Sequence, residues 1–320
     1  MIQDRLADYW SPPHYCAFRN VLIGKYGMIF DKDYKLIRSG NDQFNFWYYM
    51  RINWWRPDEW VHSDAAFVKA DKMPVVRLPI GTYIYGLHFF NKYNYGHIWD
   101  LLQSLKIVED HNIIGTLLTN VDKSCVTDFD ARLSLFGYPA DKRIDVDINN
   151  TIYHVPELVV PSYYCRPNYF SRDIKDWLLA KHMSCPDLSL DNVPRMLYLS
   201  RENGFGRKVT NEWDIVSSFP NLTVFSGLEP LQQQINLFNS ATFICGYHGA
   251  SFKNIIFCKN RPTIVEFCPN IRERFIIDGR SNFQEQSIEL DITDNYHLKL
   301  VDTSEDFYAY IDPSRLHEFL

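Results

Sequence analysis

The chain has 320 residues, 46% of them apolar and 22% charged, which is material for one or two buried cores and too apolar for a disordered chain. Its 33 basic residues face 39 acidic ones for a formal net charge of −6, so a nucleic-acid binder relying on a general positive field is excluded, while a local anion site is not. The seven cysteines (Cys16, Cys125, Cys165, Cys185, Cys245, Cys258 and Cys268) are scattered without a C-x-x-C pair and read as neither a disulfide framework nor a zinc motif.

The first residues lack the basic stretch and apolar run of a signal peptide, and no run approaches 18 apolar residues. The expectation is a cytoplasmic protein without a transmembrane segment, with the sequons at Asn149 and Asn221 idle. The first 60 residues are strand-like and aromatic, broken by Gly24, Gly27, Gly40 and the Pro12–Pro13 pair. Phe44, Phe46, Trp47, Tyr48, Tyr49, Trp54 and Trp55 suit either a core or a surface that stacks on sugar rings. Val75–Val76 and Tyr83–Phe90 read as strands. From His97 to Asp110, Ile98, Leu101, Leu102, Leu105 and Val108 share one helical face. Ile113 to Leu118 then predicts a buried strand and Val126 to Phe136 a helix. After about Val155 the pattern turns irregular, with Pro156, Pro161, Pro167 and Pro186 around a helix near Ser171–His182. This is the linker expected at 161–190, between a first domain at 1–160 and a second at 191–300.

From Arg195 the pattern is regular. Strands at Met196–Leu199, Leu222–Phe225, Ala241–Cys245 and Thr263–Phe267 alternate with helices at Asn211–Ser218, Pro230–Asn239 and Ala250–Phe257. Pro230 suits a first helical turn, and Leu231, Ile235 and Phe238 follow at i, i+4 and i+7. Apolar strands alternating with short helices predict a parallel sheet covered on both faces, with ligands beyond the carboxyl ends of its strands.

Three segments carry chemistry. In Gly246-Tyr247-His248-Gly249-Ala250-Ser251, a strand passes through a glycine turn into a helix start. Free N–H groups at Ala250 and Ser251 there would face an anion, and His248 could donate to a phosphate oxygen. The alternative is an ordinary tight turn with a satisfied histidine. In Ser200-Arg201, followed by Gly204, Gly206, Arg207 and Asn211-Glu212, two guanidinium groups reach the same edge of the sheet, matched to a pyrophosphate, or else to surface ion pairs. Glu266 ends the next strand and could accept from sugar hydroxyls, or simply face water. In the first half, Asn94-Tyr95-Gly96-His97-Ile98-Trp99-Asp100 places His97 and Asp100 three apart on one helical face, as a general base with its partner or as core residues. There is no third glycine for a dinucleotide fingerprint after Gly204-Phe205-Gly206, and no Walker A motif.

Together these segments resemble glycosyltransferase family 61, which includes plant xylosyl- and arabinosyltransferases and animal extracellular O-GlcNAc transferases. The resemblance rests on Asn94-Tyr95-Gly96-His97-x-x-Asp100, Ser200-Arg201, Arg207, Asn211-Glu212, Gln234-x-x-Leu237-Phe238-x-x-Ala241, Gly246-Tyr247-His248-Gly249-Ala250-x-x-x-Asn254 and Glu266. It implies an α/β chain of GT-B architecture, two Rossmann-like domains facing across a cleft, with segment 301–320 returning to the first domain. It implies an inverting transfer from a UDP-sugar, xylose as first expectation and N-acetylglucosamine next, to a hydroxyl of a glycan or glycoprotein acceptor. Members are usually anchored secretory proteins, and the missing anchor points to a viral or bacterial relative.

Mechanistically, the resemblance makes Asp100 the first choice of base and His97 the second, with Asp64 and Asp71 as unplaced alternatives. Ser200, Arg201, Arg207, His248, Gly249, Ala250, Ser251, Asn254 and Glu266 become donor-binding residues. Neither a metal nor another cofactor is required. Asp128-Phe129-Asp130 and Asp145-Val146-Asp147 match the D-x-D pattern but read as solvated carboxylates in the first domain. A non-catalytic carbohydrate- or nucleotide-binding module, or another nucleotide-sugar enzyme on the same fold, is the alternative.

Overall fold

A computed structural model describes residues 14–24, 27–34, 37, 73–87, 95–120, 128–148, 150–162, 170–183, 195–203, 207–270, 276–277, 280–304 and 307–319. The aromatic run at 44–55, Asp64, Asp71, Gly204 and Gly206 lie outside the described residues, as do the side chains of residues 95–97. The chain divides into two compact units, one of Met1–Lys92, Asp100–Asp122 and Tyr138–Arg166, the other of Tyr93–Trp99, Lys123–Gly137 and Pro167–Leu320.

The first unit is built on a sheet ordered β2-β1-β7-β4-β5-β6. Its strands are β1 (Tyr15–Ile23), β2 (Ile29–Phe30), β3 (Val75–Arg77), β4 (Thr82–Tyr85), β5 (Thr116–Thr119), β6 (Arg143–Asp145) and β7 (Ile152–Pro161). β7, β4, β5 and β6 run parallel, β3 adds to β7, and β1 lies antiparallel along the other side of β7. Ile84, Leu117, Leu118, Val155 and Leu158 are fully buried, as apolar runs in a mostly parallel sheet require.

β7 differs from the sequence expectation, because its two prolines read as an irregular linker. Pro161 ends the strand. Pro156 stands opposite Asn20, the one rung missing from an otherwise continuous β1–β7 register, and Asn20 takes a positive φ of 53° there. A proline cannot donate to a ladder, and the strand accommodates it by giving up that rung alone.

The second unit carries a five-stranded, all-parallel sheet in the order β14-β11-β10-β8-β9. These are β8 (Arg195–Leu199), β9 (Leu222–Phe225), β10 (Ala241–Tyr247), β11 (Thr263–Pro269) and β14 (Tyr296–Val301). Counted within the unit the order is 2-1-3-4-5, a doubly wound arrangement whose direction reverses between β8 and β10. A separate pair, β12 (Ile276–Ile277) and β13 (Arg280–Ser281), completes the strands.

Helix α1 (Tyr95–Asp110) begins in the second unit and continues into the first. Helices α2 (Phe129–Leu135), α3 (Arg172–Met183), α4 (Glu212–Ser218), α5 (Leu231–Asn239) and α6 (Asn282–Glu289) all belong to the second. Pro230 stands just ahead of α5, and the predicted apolar stripe of that helix is buried. Segment Ala250–Phe257 winds as a 3-10 helix rather than an α-helix.

The stretch read as a linker carries α3, which buries Ile174, Leu178 and His182 within the second unit. The C-terminal segment, expected on the first domain, also lies on the second unit. The Asn211 side chain donates to the Ile311 carbonyl at 2.8 Å and accepts from its N–H at 3.0 Å. Val209, Ala309, Ile311 and Leu316 thereby join the core on the Tyr198, Cys245, Val265 and Phe267 face of the sheet. Among the described residues no helix is long and apolar enough to cross a membrane.

Candidate functional site

The residues expected from the sequence at a donor site converge at the sheet's reversal point. β8 delivers Ser200 and Arg201, β10 delivers His248 and Gly249, and β11 delivers Glu266. Parallel strands bring these carboxyl ends side by side because register pairs Gly246 with Leu199 on one side and with Glu266 on the other. That crevice is where doubly wound sheets bind their ligands.

Two glycines set the backbone spacing. A Cβ on Gly246 would stand 2.7 Å from the Leu199 Cβ and 2.9 Å from its carbonyl oxygen, so the two strands approach too closely for any side chain there. A Cβ on Gly249 would stand 2.5 Å from Arg201 Nη1 and 3.1 Å from its Cζ. The Arg201 guanidinium therefore lies directly against the loop that follows β10. Gly249 itself is extended (φ −179°), so it is the guanidinium, not the backbone angle, that requires glycine.

Arg201 is only 8% exposed. Its N–H donates to Glu212 Oε2 at 3.2 Å and its Nε reaches the Arg207 carbonyl at 3.4 Å. Burial, then the neighbouring Arg207, bring its guanidinium down to about 10, which leaves it a cation at neutral pH. Ser200 takes a local role: its hydroxyl accepts the Glu202 N–H at 3.1 Å and shapes the turn carrying Arg201.

Around Glu266 lies a buried hydrogen-bonded cluster. His248 Nδ1 faces Glu266 Oε1 at 2.5 Å. Oε2 of the same carboxylate accepts from the Tyr296 hydroxyl at 2.7 Å and from the Ser281 hydroxyl, which also caps α6 by accepting the Gln284 N–H. Burial holds His248 below the ordinary imidazole value, Glu266 opposes that, and Arg207 and Arg201 add to it. Glu266 thus does not face water, and both of its oxygens accept side-chain protons within the cluster. Neither Ser281 nor Tyr296 carried a sequence signal.

Ala250 and Ser251 sit half-buried at the start of the 3-10 helix, and Asn254 is fully buried within it. In the tighter winding the Phe252 N–H already donates to the Gly249 carbonyl at 3.1 Å, so only the N–H groups of Ala250 and Ser251 precede the first helical bond. Asp100 lies on α1, buried, and the His97 side chain is outside the described residues.

His248, Glu266 and Cys268 bring possible metal-ligand atoms within 4.8 Å of one another. As a cation site the set fits poorly. Both Glu266 oxygens are committed, burial and then Glu266 push the Cys268 thiol up so that it keeps its proton, and Arg207 stands near.

Of the D-x-D pairs, Asp145, Asp147 and Asp130 are exposed. Asp128, read as solvated, is instead buried. It pairs with Arg132 at 2.5 Å, one helical turn on, and accepts from Gln234 Nε2 at 3.2 Å. Arg132 also donates to Gln234 Oε1 at 3.1 Å, meets His182 Nε2 at 3.0 Å and lies over the Trp99 ring at 4.7 Å. The Gln234 of the sequence motif is thus a buried hydrogen-bonding residue that ties α5 to the Asp128–Arg132 ion pair of α2, while Arg132 reaches the Trp99 turn of α1 within the second unit.

A buried guanidinium pressed on a glycine loop at a sheet's reversal point, beside a carboxylate-held histidine, is chemistry suited to the diphosphate of a nucleotide sugar. The family model Glycosyltransferase 61 matches residues 72–265, and the chain belongs to that family and is a glycosyltransferase. A glycosyltransferase implies a nucleotide-sugar donor and a glycan acceptor. A comparison with curated proteins finds no match.

Proposed function

We propose that this glycosyltransferase moves a sugar, xylose or else N-acetylglucosamine, from a UDP-sugar to a glycan hydroxyl with inversion, in a GT-B architecture. The observation that carries the donor reading is the Arg201 guanidinium lying against Gly249 at the carboxyl edge of β8 and β10. In a single displacement the acceptor oxygen bonds to the anomeric carbon while the bond from that carbon to the diphosphate oxygen breaks. The acceptor proton goes to Asp100, with His97 as the second choice. UDP departs with one more negative charge, and Arg201, Arg207, His248 and the N–H groups at Ala250 and Ser251 stabilise it. Those fixed cations do the work a divalent ion does elsewhere, so EDTA leaves the rate intact; loss of activity restored by Mn²⁺ contradicts this.

The donor is read by thermal shift against a panel of UDP-sugars, since a bound ligand raises stability by mass action. UDP-xylose or UDP-N-acetylglucosamine is expected to give the largest shift. A shift with neither, but with a different nucleotide sugar, replaces the sugar assignment.

A further inference from the structure

The hydrogen-bond inventory around Glu266 constrains the proton count of the donor site, an inference that rests on His248 being a ligand of the diphosphate. Oε2 of Glu266 already accepts two hydroxyl protons, from Tyr296 and Ser281. Burial, then Glu266, raise the Tyr296 phenol well above its ordinary value, so it stays a donor. The Ser281 hydroxyl is fixed in direction because its oxygen accepts from Gln284. With Oε2 saturated, the carboxylate presents Oε1 to His248, and Nδ1 must carry the proton between them. A neutral imidazole holds only one proton, so Nε2 is then an acceptor, and an acceptor facing phosphate oxygens is repelled. We propose that Tyr296 and Ser281 are positioning residues that commit the His248 Nδ1 proton to Glu266, so that His248 can donate to the donor diphosphate only as an imidazolium and binding takes up a proton from solvent.

The groups facing His248 agree with that direction. Arg201, following β8, and Arg207 keep the free imidazole neutral, as does burial; the Phe283 ring of α6 covers it at 5.2 Å, and the Cys268 thiol on β11 is uncharged. Glu266 is the one charge favouring the cation. An arriving diphosphate neutralises both arginines and adds its own negative charge, so the second proton binds only with the ligand.

The test is calorimetric titration of UDP at about pH 7.5 in two buffers of different ionisation enthalpy, where the terminal phosphate (second pKa about 6) is largely ionised. Wild type is expected to take up about 0.5–1 proton per UDP bound. His248→Gln keeps an amide N–H at the Nε2 position and should bind UDP with an uptake near zero. Tyr296→Phe takes one of the two hydroxyl donors from Oε2, so the Nδ1 proton is no longer committed to Oε1 and uptake should fall below wild type. A tyrosine that merely packs would leave the uptake at its wild-type value in Tyr296→Phe, which would overturn its positioning role. UDP binding to wild type without proton uptake overturns the inference while leaving the donor reading standing. Absence of UDP binding overturns both.

Discussion

Gly249→Ala separates the proposed donor contact of Arg201 from its contribution to the fold. The backbone at Gly249 is extended and open to alanine, so the substitution carries no conformational strain, and it stiffens the unfolded chain by about 0.4–1 kcal/mol. The new Cβ would fall 2.5 Å from Arg201 Nη1 and 3.1 Å from Cζ. Ordinary contact between carbon atoms is about 3.5–4.0 Å, so the guanidinium must withdraw by about 1 Å, and the far end of a flexible side chain can do so. Charge-assisted hydrogen bonds of this kind contribute roughly 1.5–3 kcal/mol. Losing one of them weakens UDP binding by about one to two powers of ten. Calorimetry with UDP, paired with urea unfolding, reads both sides: affinity falls while stability stays within about 1 kcal/mol of wild type. In an Arg201→Ala background the same change should have no further effect on affinity, because the two act through one contact. Unchanged UDP affinity in Gly249→Ala, or equal losses in both backgrounds, would refute the claim that Arg201 meets the diphosphate from across Gly249.

Two further outcomes are expected elsewhere. Asp100→Asn should retain UDP binding and lose transfer by at least about a hundredfold, the scale of general base catalysis; unchanged transfer in steady-state assays moves the base to His97. His182 donates from Nδ1 to the Leu178 carbonyl at 2.7 Å and turns Nε2 toward Arg132, so burial and then that guanidinium bring it down to about 3. Its folded-state value lies below the unfolded one, so the unfolded chain binds the extra proton, and stability falls as pH drops from about 6.5 toward 3. Between neutral pH and pH 5 this amounts to about 2 kcal/mol, a pH dependence that should be missing from His182→Gln in urea unfolding at the two pH values.

The second unit was legible where its strands are short apolar runs and α5 carries a clean stripe. β8, β9, β10, β11, α4 and α5 all fall within two residues of the sequence expectation, and α5 buries Leu231, Ile235 and Phe238, the residues its periodicity selects. β7 was not legible, since Pro156 interrupts the pattern while its cost is confined to the single rung opposite Asn20. α6 and β14 escaped for a different reason. Gln286 and Ser287 are polar at fully buried positions of α6, and β14 lies at the sheet edge with most of its side chains half-buried, so neither shows an apolar period. Those two elements anchor Ser281 and Tyr296, which is why the sequence pointed to Glu266 but not to the hydroxyls that donate to it.

The same loss of pattern explains Asp128. Its D-x-D spacing says nothing of Arg132 one turn away, and it is tertiary packing that brings Gln234, His182 and Trp99 around the pair. A buried ion pair of this kind is sensitive to removal of either partner, since the other charge is then left unpaired.

The central claim is that the reversal point between β8 and β10 holds the diphosphate of a nucleotide sugar. Titrating UDP into wild type, Arg201→Ala and Arg207→Ala, each checked for a native unfolding transition, tests it most directly. Saturable binding to wild type is expected, with a loss of at least tenfold in each folded variant. Equal UDP affinity in all three, or none in wild type, contradicts it.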